Sequence, residues 1–473
     1  MISKEIRANN AFYSELFAEL ADLLAADQTM ASLSFDEANS SISDFMADFI
    51  YNVSPWPVII NDNTVRTFSR VVDNMPAVLI KLLNYFARHE PLWLCDYLNI
   101  SEMALARYTK CAINSEDIMC RYDAIMTNKA LKLVEINIGS SLGGWWSDWL
   151  YPEIQAALNQ VDVVKDWNHK YRKISENTFK AVWQSIVRLK GNDAKGNMFI
   201  FLPDTATTNL ALVHQHLNTL VMTTKPDIYP EGKLFIFNEL DKIEWRTDGN
   251  MAIDGEIMDT LLLPVVKGDE LPISFVAKLQ AYSEKRKLYV PDNEALNLLA
   301  NKLLFSLAHE PKSKKVLTNT ELSLIEEHIP WSTKLNSKAI HRDGISLLTE
   351  EYIKQNQQSL VFKKSQSMQG KDVLVGCTTP REEWLNFYEQ NKHDSDWLIQ
   401  AYCAPDLIYS ADQNVGFSSY RMVWGIFGFN DHYSGAWCRA VNESNDDTVI
   451  NLARGAVEFV VTEEQQLKGK LVL

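Results

Sequence analysis

The first 110 residues have the hydrophobic spacing of amphipathic helices. Apolar residues recur every three or four positions from Phe12 to Leu24, which places them on one side of a helix. The later stretch VVDNMPAVLIKLLNYFARHEPLWL has the same pattern, and Pro76 within it is expected near a helix start. We therefore predict a helical N-terminal region over residues 1–110 that packs as one wall of a cleft.

The pattern changes to strand signals over residues 111–150. The runs MCRYDAIM and LKLVEIN are rich in apolar residues and are joined by the turn sequence TNKA. Two such runs separated by a short polar turn predict a β-hairpin. Residues 151–190, which follow this hairpin, return to a helical pattern.

Residues 195–295 predict a separate small unit. Three short apolar runs, MFIFLP, KLFIFNEL and TLLLPVV, alternate with helical or polar segments, and NLALVHQHLNTL supplies one crossover helix. This spacing is typical of a small α/β layer with a parallel sheet. His214 and His216 lie two positions apart on that helix, so they face different sides and cannot form a metal pair. The unit has no GxGxxG fingerprint for a dinucleotide.

Residues 296–355 are predicted to be helical, with a break at HIPWSTKL, and strands follow from residue 359 onward. The strand runs include SLVFKK, DWLIQAY, YRMVWGIFGF, AWCRAV and AVEFVVT. Their aromatic and β-branched residues favour a largely antiparallel sheet with few helices.

Composition narrows the class of protein. A chain of 473 residues is long enough for two to three domains, and its net charge of −15 disfavours binding to nucleic acid or to an anionic membrane surface. No apolar run is long enough for a transmembrane helix, and the N-terminus lacks the features of a signal peptide. The six cysteines form no CxxC pair, which favours reduced thiols. We therefore expect a cytoplasmic protein.

The strongest chemical signal is LKLVEINIGSSLGG, residues 131–144. Glu135 and Asn137 lie on the same face of the predicted strand, about 7 Å apart along it. A carboxylate and an amide oxygen in this arrangement can bind one hard cation such as Mg²⁺. The turn that follows contains Gly139, Ser140, Ser141, Gly143 and Gly144. Glycines allow a backbone to approach a ligand closely.

Two later segments could bind a nucleotide. In SLVFKKSQSMQGKDVLVG, Lys363 ends a strand and Gly370 lies in the turn that follows. A lysine there can hold a polyphosphate as a point charge, although a solvent-exposed hairpin with three lysines explains the pattern equally well. In DWLIQAY, the polar end at Gln400, Ala401 and Tyr402 could read an adenine edge through backbone groups. A plain buried strand is the simpler interpretation of that segment.

Two arginines pose a charge problem. Arg439 lies within an apolar strand, where an unpaired charge is costly. It needs an anionic partner, which is either internal or a substrate carboxylate. Arg121 lies two residues before Asp123 and either pairs with it structurally or steadies charge that develops on a phosphorylated carboxylate.

Taken together and in this order, these segments resemble the circularly permuted branch of the ATP-grasp family. That branch includes eukaryotic-type glutathione synthetases and glutathionylspermidine-synthase-like proteins. RYD…EIN…S…GG resembles its metal and substrate segment, ANKLLFSLAHE…IPWSTKL its helix and IPWT turn, and SLVFKKSQSMQGKDVLVG its phosphate-loop hairpin. The EIN motif precedes the lysine hairpin, as in that branch. The similarity covers roughly residues 115–150 and 290–460.

The resemblance implies an α+β fold of the glutathione synthetase-like, circularly permuted ATP-grasp type. Its units would be a helical N-terminal region (1–110), a metal and substrate segment (111–194), a small α/β domain (195–295), and a lid with the C-terminal sheet (296–473). By the same resemblance, the Mg²⁺ ligands would be Glu135 and Asn137, with Asp123 as a further candidate. The ATP-binding residues would be Lys302, Lys363, Gly370, Gln400, Ala401 and Tyr402.

The remaining implied roles concern the substrates. Arg121 would neutralise an acyl-phosphate and Arg439 would hold a substrate carboxylate. The substrate-contacting residues would be Ser140, Ser141, Gly143 and Gly144. The implied activity is ATP-dependent ligation of a small-molecule carboxylate to an amine through an acyl-phosphate, on amino acids, peptides or polyamines. A homodimer is common in that branch.

The chain departs from the family pattern in two places. Ser367, Met368 and Gln369 replace the glycines usual at the hairpin tip, and neither Gln366 nor Ser367 can supply a further carboxylate to a metal. The turn before Gly143 is one residue shorter than in glutathione synthetase, which argues against glutathione synthesis itself. These departures leave open a degenerate ATP-grasp protein that binds a nucleotide or a partner without turnover. No motif in residues 195–295 supports the further alternative of a transferase built on that unit.

Overall fold

The computed structural model describes residues 2–34, 52–203, 210–264, 271–342, 345–367, 372–445 and 449–465. The fold is a mixture of α and β structure. The helices are α1 Lys4–Tyr13, α2 Glu15–Ala26, α3 Gln28–Ala31, α4 Asp62–His89, α5 Pro91–Leu98, α6 Glu102–Cys111, α7 Ser147–Leu158, α8 Ile174–Lys190, α9 Leu210–Thr224, α10 Ile273–Ser283, α11 Asn297–Ala300, α12 Leu303–His309, α13 Asn319–His328, α14 Thr349–Asn356 and α15 Arg381–Asn391. In the described ranges, none is long and apolar enough to cross a membrane.

The strands fall into several sheets of different sizes. They are β1 Val58–Ile60, β2 Met119–Thr127, β3 Ala130–Ile138, β4 His169–Tyr171, β5 Met198–Phe201, β6 Leu234–Phe237, β7 Glu244–Trp245, β8 Met251–Ile253, β9 Glu256–Ile257, β10 Thr260–Leu262, β11 Ser332–Lys334, β12 Ala339–Arg342, β13 Ile345–Leu348, β14 Leu360–Lys364, β15 Val373–Val375, β16 Trp397–Ala401, β17 Leu407–Asp412, β18 Gly416–Phe429, β19 His432–Asn442 and β20 Val457–Glu464.

Within the described ranges, the largest sheet has eight strands, six of which follow the order β1-β20-β19-β18-β2-β3. β17 pairs with β18, and β4 pairs with β20. Among the described residues, β1 pairs with β20 in parallel, and the other strand pairs of this sheet are antiparallel. One face packs on the N-terminal helices, where the Trp424 ring lies 5.1 Å from Tyr13 and 5.2 Å from Phe68. Because side chains alternate along a strand, the other face carries Arg121, Asp123 and Arg439.

A four-stranded antiparallel sheet of order β11-β16-β14-β15 lies beside it. Phe362 on one face stacks on Trp384 of α15, with ring centroids 3.8 Å apart. Lys363 and Gln400 lie on the opposite face, towards the large sheet, because they alternate with the core residues of their strands. Two sheets therefore present charged and polar side chains towards each other.

The small parallel sheet predicted over residues 195–295 is confirmed. β10, β5 and β6 pair in parallel in that order. α9 lies between β5 and β6 in the chain, as expected for a crossover helix. The predicted hairpin before residue 150 is also confirmed, since β2 and β3 pair antiparallel across the turn.

Other predictions need correction. Pro76 lies inside the 28-residue helix α4 and not near its start. It removes one backbone donor, but it is buried with the apolar face of α4, so packing maintains the helix. The N-terminal region also contributes a strand, β1, to the large sheet. The break at HIPWSTKL contains β11, and the β12–β13 hairpin that follows it lies in a region predicted to be helical.

Candidate functional site

Asp123 lies on β2 between two guanidinium groups. Arg121 Nε lies 2.7 Å from its Oδ1 and Nη2 lies 3.1 Å from its Oδ2, while Arg439 Nη2 lies 2.7 Å from Oδ2. The Asp123 side chain is 6 % exposed. Burial alone would raise the pKa of Asp123, but the two guanidinium groups outweigh burial and hold that pKa well below its usual value. The sequence left the partners of both arginines open, and the structure gives each of them Asp123.

Trp437 forms a platform under this arginine pair. The guanidinium carbons of Arg121 and Arg439 lie 5.5 Å and 5.3 Å from the centre of its ring. The indole approaches β18 closely at position 425, where glycine leaves room for it, because a Cβ there would overlap the indole nitrogen. Stacking on an aromatic ring restrains planar guanidinium groups. Sequence reasoning missed both Trp437 and Gly425, which carry no local signal.

Glu135 occupies a more open position directly across the hairpin from Asp123. Its side chain is 29 % exposed, and its Oε2 lies 3.3 Å from Nζ of Lys302. Lys302 directly precedes α12, and the neighbouring Asn301 fixes the approach to that helix by accepting from Leu303 N and donating to Leu98 O. The structure therefore brings together a predicted metal ligand and a predicted phosphate-binding lysine.

Lys363 approaches the same carboxylate from the second sheet. Its Nζ donates to Val134 O at 3.2 Å and to Gln400 Oε1 at 2.7 Å. Desolvation lowers the pKa of Lys363 to about 8, and Lys302 adds to this lowering, while the nearby Glu135 opposes it. Both hydrogen-bond partners that the described residues give this ammonium are neutral, so it retains the capacity to pair with an anion.

Lys302 also contacts the segment that follows strand β14. This segment leads into the lysine hairpin, which is formed by strands β14 and β15. The Nζ of Lys302 donates to Ser367 O at 3.0 Å, and its backbone N–H donates to Ser365 O at 3.0 Å. The Ser365 hydroxyl in turn donates to Asp396. The predicted residue Gly370 lies outside the described residues.

The glycine turn after Asn137 is fixed by Asp292, a residue that sequence reasoning missed. Ser140 donates to Asp292 through its N–H at 2.6 Å and its hydroxyl at 2.7 Å, and Leu263 N donates to the same carboxylate at 2.7 Å. A Cβ at Gly139 would lie 2.5 Å from Asp292 Oδ1. The turn is thus tied to the end of strand β10, and the Ser140 hydroxyl is already engaged.

The rest of this turn faces aromatic and cationic groups. Gly143 adopts a φ of 69°, and a Cβ there would lie 3.4 Å from Arg121 Nη1. Gly144 adopts a φ of 73° and packs on Phe427, which would lie 2.7 Å from an added Cβ. Ser141 is exposed. Close packing explains the two glycines without a ligand, whereas Ser141 remains accessible to one.

The predicted adenine segment is already engaged in backbone pairing. Ala401 N donates to Trp331 O and Tyr402 N donates to Ser359 O, both at 2.8 Å. The Gln400 side chain accepts from Lys363 and donates to Ser332 Oγ at 3.1 Å. These two backbone N–H groups are therefore engaged within the chain in this arrangement, and adenine binding by other backbone groups at Gln400, Ala401 and Tyr402 stays a prediction.

The donor set at Glu135 and Asn137 fits one Mg²⁺. The Asn137 Nδ2 atom is buried and lacks a hydrogen-bond partner in the part of the chain that the structure describes. Rotation of this amide would bring its oxygen to that position, beside a partly exposed carboxylate. Asp123 does not fit a metal-ligand role, because guanidinium groups contact both of its oxygens. Within the described ranges, no group of three or more His, Cys, Asp and Glu side chains forms a metal cluster.

Comparison with known proteins gives no family assignment. No family model matches the chain, and no curated protein matches it. One solved structure that resembles it is that of a protein from Methylobacillus flagellatus KT whose provisional name is gamma-glutamylcysteine synthetase. The match covers 84 % of this chain and 87 % of that one, with 13 % identity and a TM-score of 0.39. A likeness this distant carries no argument about fold or function.

Proposed function

We propose that this chain is an ATP-dependent carboxylate–amine ligase with an ATP-grasp architecture. The observation that carries this proposal is the approach of Lys302 and Lys363, from two different elements, to Glu135 between two sheets. Two ammonium groups and one partly exposed carboxylate between the two sheets match the needs of a polyphosphate with a divalent cation.

Lys363 supports binding of the polyphosphate. A charge in a desolvated place is unfavourable without an opposite charge, and the direct partners of this ammonium are a backbone carbonyl and a side-chain amide. A phosphate group beside Lys363 would remove that penalty. Lys302 would bind the same polyphosphate, since its contact with Ser367 O already directs it towards the lysine hairpin.

Glu135 and Asn137 would hold Mg²⁺. The metal would supply neutralisation of phosphate charge, which is its general role in phosphoryl transfer. Asp123 is no longer assigned to the metal. In this proposal it spaces and orients the two guanidinium groups.

Arg121 and Arg439 would receive the carboxylate substrate. Arg439 Nε is buried and has no hydrogen-bond partner among the described residues, so one donor of this pair is not satisfied by Asp123. A guanidinium pair held on a rigid platform can stabilise negative charge on a carboxylate and on its phosphorylated form. Ser141 is better placed than Ser140 to contact a substrate, because Ser141 is exposed and the Ser140 hydroxyl is bound to Asp292. Amino acids, small peptides and polyamines are the substrate classes that we propose.

A second candidate is a protein that binds a nucleotide without turnover. Its support is the ion pair between Glu135 and Lys302, which engages the one carboxylate assigned to a metal. With Asp123 held by two arginines, the described residues give the proposed metal site a single carboxylate. This donor set is sparse for catalysis but adequate for nucleotide binding.

The two candidates differ in ADP production. Binding of a non-hydrolysable ATP analogue would be measured with and without Mg²⁺, and ADP release would be screened over pairs of carboxylic acids and amines. A ligase releases ADP only when a matching pair is present, and mass spectrometry then identifies the coupled product. Binding without ADP release across the panel supports the second candidate. Absence of nucleotide binding under all conditions contradicts both.

A further inference from the structure

Lys302 has an unusual set of partners for a phosphate-binding lysine. Its side chain is only 8 % exposed, and its ammonium contacts both Glu135 Oε2 and Ser367 O. One contact is with the large sheet and the other is with the segment that leads into the lysine hairpin. The carboxylate assigned to the metal is thus paired with a positive charge of the chain itself.

The charge balance around Glu135 disfavours a free cation. Arg121, Arg439, Lys302 and Lys363 contribute four positive charges, against two negative charges from Asp123 and Glu135. Glu458 also acts on Arg439, and including it still leaves a surplus of one positive charge. A divalent cation that entered alone would add two positive charges at low effective dielectric, where repulsion is strong. A polyphosphate would instead be attracted to this site.

We propose that the Lys302 ammonium acts as a built-in substitute for the metal at Glu135, so that the cation binds there only after or together with a polyphosphate. This inference rests on the proposed function. A polyphosphate provides a stronger anionic partner for Lys302 and draws its ammonium from Glu135. The carboxylate then becomes available, and the added negative charge offsets the charge of the metal.

The test uses the full-length protein and Mn²⁺ as a spectroscopic substitute for Mg²⁺. Electron paramagnetic resonance would measure free Mn²⁺ with and without a non-hydrolysable ATP analogue. For the wild type we expect at least tenfold weaker Mn²⁺ binding without the analogue than with it. Lys302→Met keeps the length of the side chain but removes its charge, so it should bind Mn²⁺ without the analogue at least tenfold more tightly than the wild type.

Two further variants make the result specific. Lys180→Met removes an equivalent charge from an exposed ion pair with Glu176 on α8, and it should behave as the wild type. Adding Glu135→Gln to Lys302→Met should abolish the gained Mn²⁺ binding. Thermal unfolding of each variant checks that its fold is retained.

Two outcomes would overturn the inference. One is wild-type Mn²⁺ affinity that does not depend on the analogue, and the other is a Lys302→Met variant that binds free Mn²⁺ no better than the wild type. Failure of the proposed function gives a different result, namely no binding of the ATP analogue by the wild type with or without Mn²⁺.

Discussion

Asp123 and Glu135 face each other across the same hairpin, yet their surroundings differ. Asp123 is held by two guanidinium groups that lie 5.5 Å and 5.3 Å from the centre of the Trp437 ring, whereas Glu135 is partly exposed and contacts Lys302, which also contacts Ser367 O. Rigid, planar partners make a carboxylate part of the structure. An ammonium that contacts a partly exposed carboxylate and also has a second partner leaves the carboxylate available for exchange. Position on the sheet alone therefore does not decide which acid binds a ligand.

The largest effect that separates the two acids should be on stability. Asp123→Ala leaves two guanidinium groups unpaired at a buried site and should cost about 3–5 kcal/mol. Glu135→Ala should change stability less, because Glu135 is 29 % exposed and its loss leaves one ammonium, Lys302, without its ionic partner, whereas Asp123→Ala leaves two buried guanidinium groups without theirs. Thermal unfolding of both variants, with Lys180→Met as a control, measures this difference. Equal losses for the two acids would contradict the assigned roles.

For turnover, measured as ADP release, we expect the reverse ranking, with a larger loss in Glu135→Ala than in Asp123→Ala. Glu135→Ala should abolish nearly all ADP release by the wild type's substrate pair, while the fold is kept, because the proposed metal loses its only carboxylate. A coupled assay of ADP measures this loss, with circular dichroism as the control for folding. Unchanged ADP release in Glu135→Ala would remove the metal assignment.

Lys363→Ala should mainly weaken nucleotide binding. The loss of one charged hydrogen bond to a phosphate corresponds to about 1.5–3 kcal/mol of binding free energy. Isothermal titration calorimetry with a non-hydrolysable ATP analogue measures the change, and Lys180→Met is again the matched control. Normal affinity in Lys363→Ala would transfer the phosphate role to Lys364 or Lys371.

A smaller effect is expected from pH. The pKa of Lys363 is lowered to about 8, so its ammonium is charged below that pH and loses its proton above it. Affinity for the ATP analogue should therefore fall by roughly eightfold, or about 1 kcal/mol, as the pH rises from 7.5 to 9, which is less than the loss expected for Lys363→Ala. Lys363→Arg keeps its charge over this range and should show a flatter profile. A wild-type profile without this fall would contradict the link between Lys363 and the polyphosphate.

The sequence predicts the local elements of this fold better than their assembly. Alternation and turn residues predict the β2–β3 hairpin, and three spaced apolar runs predict the small parallel sheet, because both signals lie within short segments. Nothing local shows that Lys363 and Glu135 belong to different sheets that face each other. That relationship depends on strand pairings between distant parts of the chain.

The candidate site shows the same difference between features that are local in the sequence and features that depend on long-range contacts. Glu135, Lys302 and Lys363 can be selected from the sequence by residue type and motif. Asp292 cannot, because its role depends on contacts with Ser140 and Leu263 that are remote in the chain. The sequence also does not predict the partner of Arg121 or Arg439. An arginine within a strand requires an anion, but the sequence does not show which acidic residue supplies it.

The most direct test of the central claim is a structure of the full-length protein with Mg²⁺ and a non-hydrolysable ATP analogue. The account predicts phosphate oxygens within hydrogen-bond distance of Lys302 and Lys363, with the metal bound to Glu135. A nucleotide bound elsewhere, with Lys302 still paired to Glu135, would contradict it.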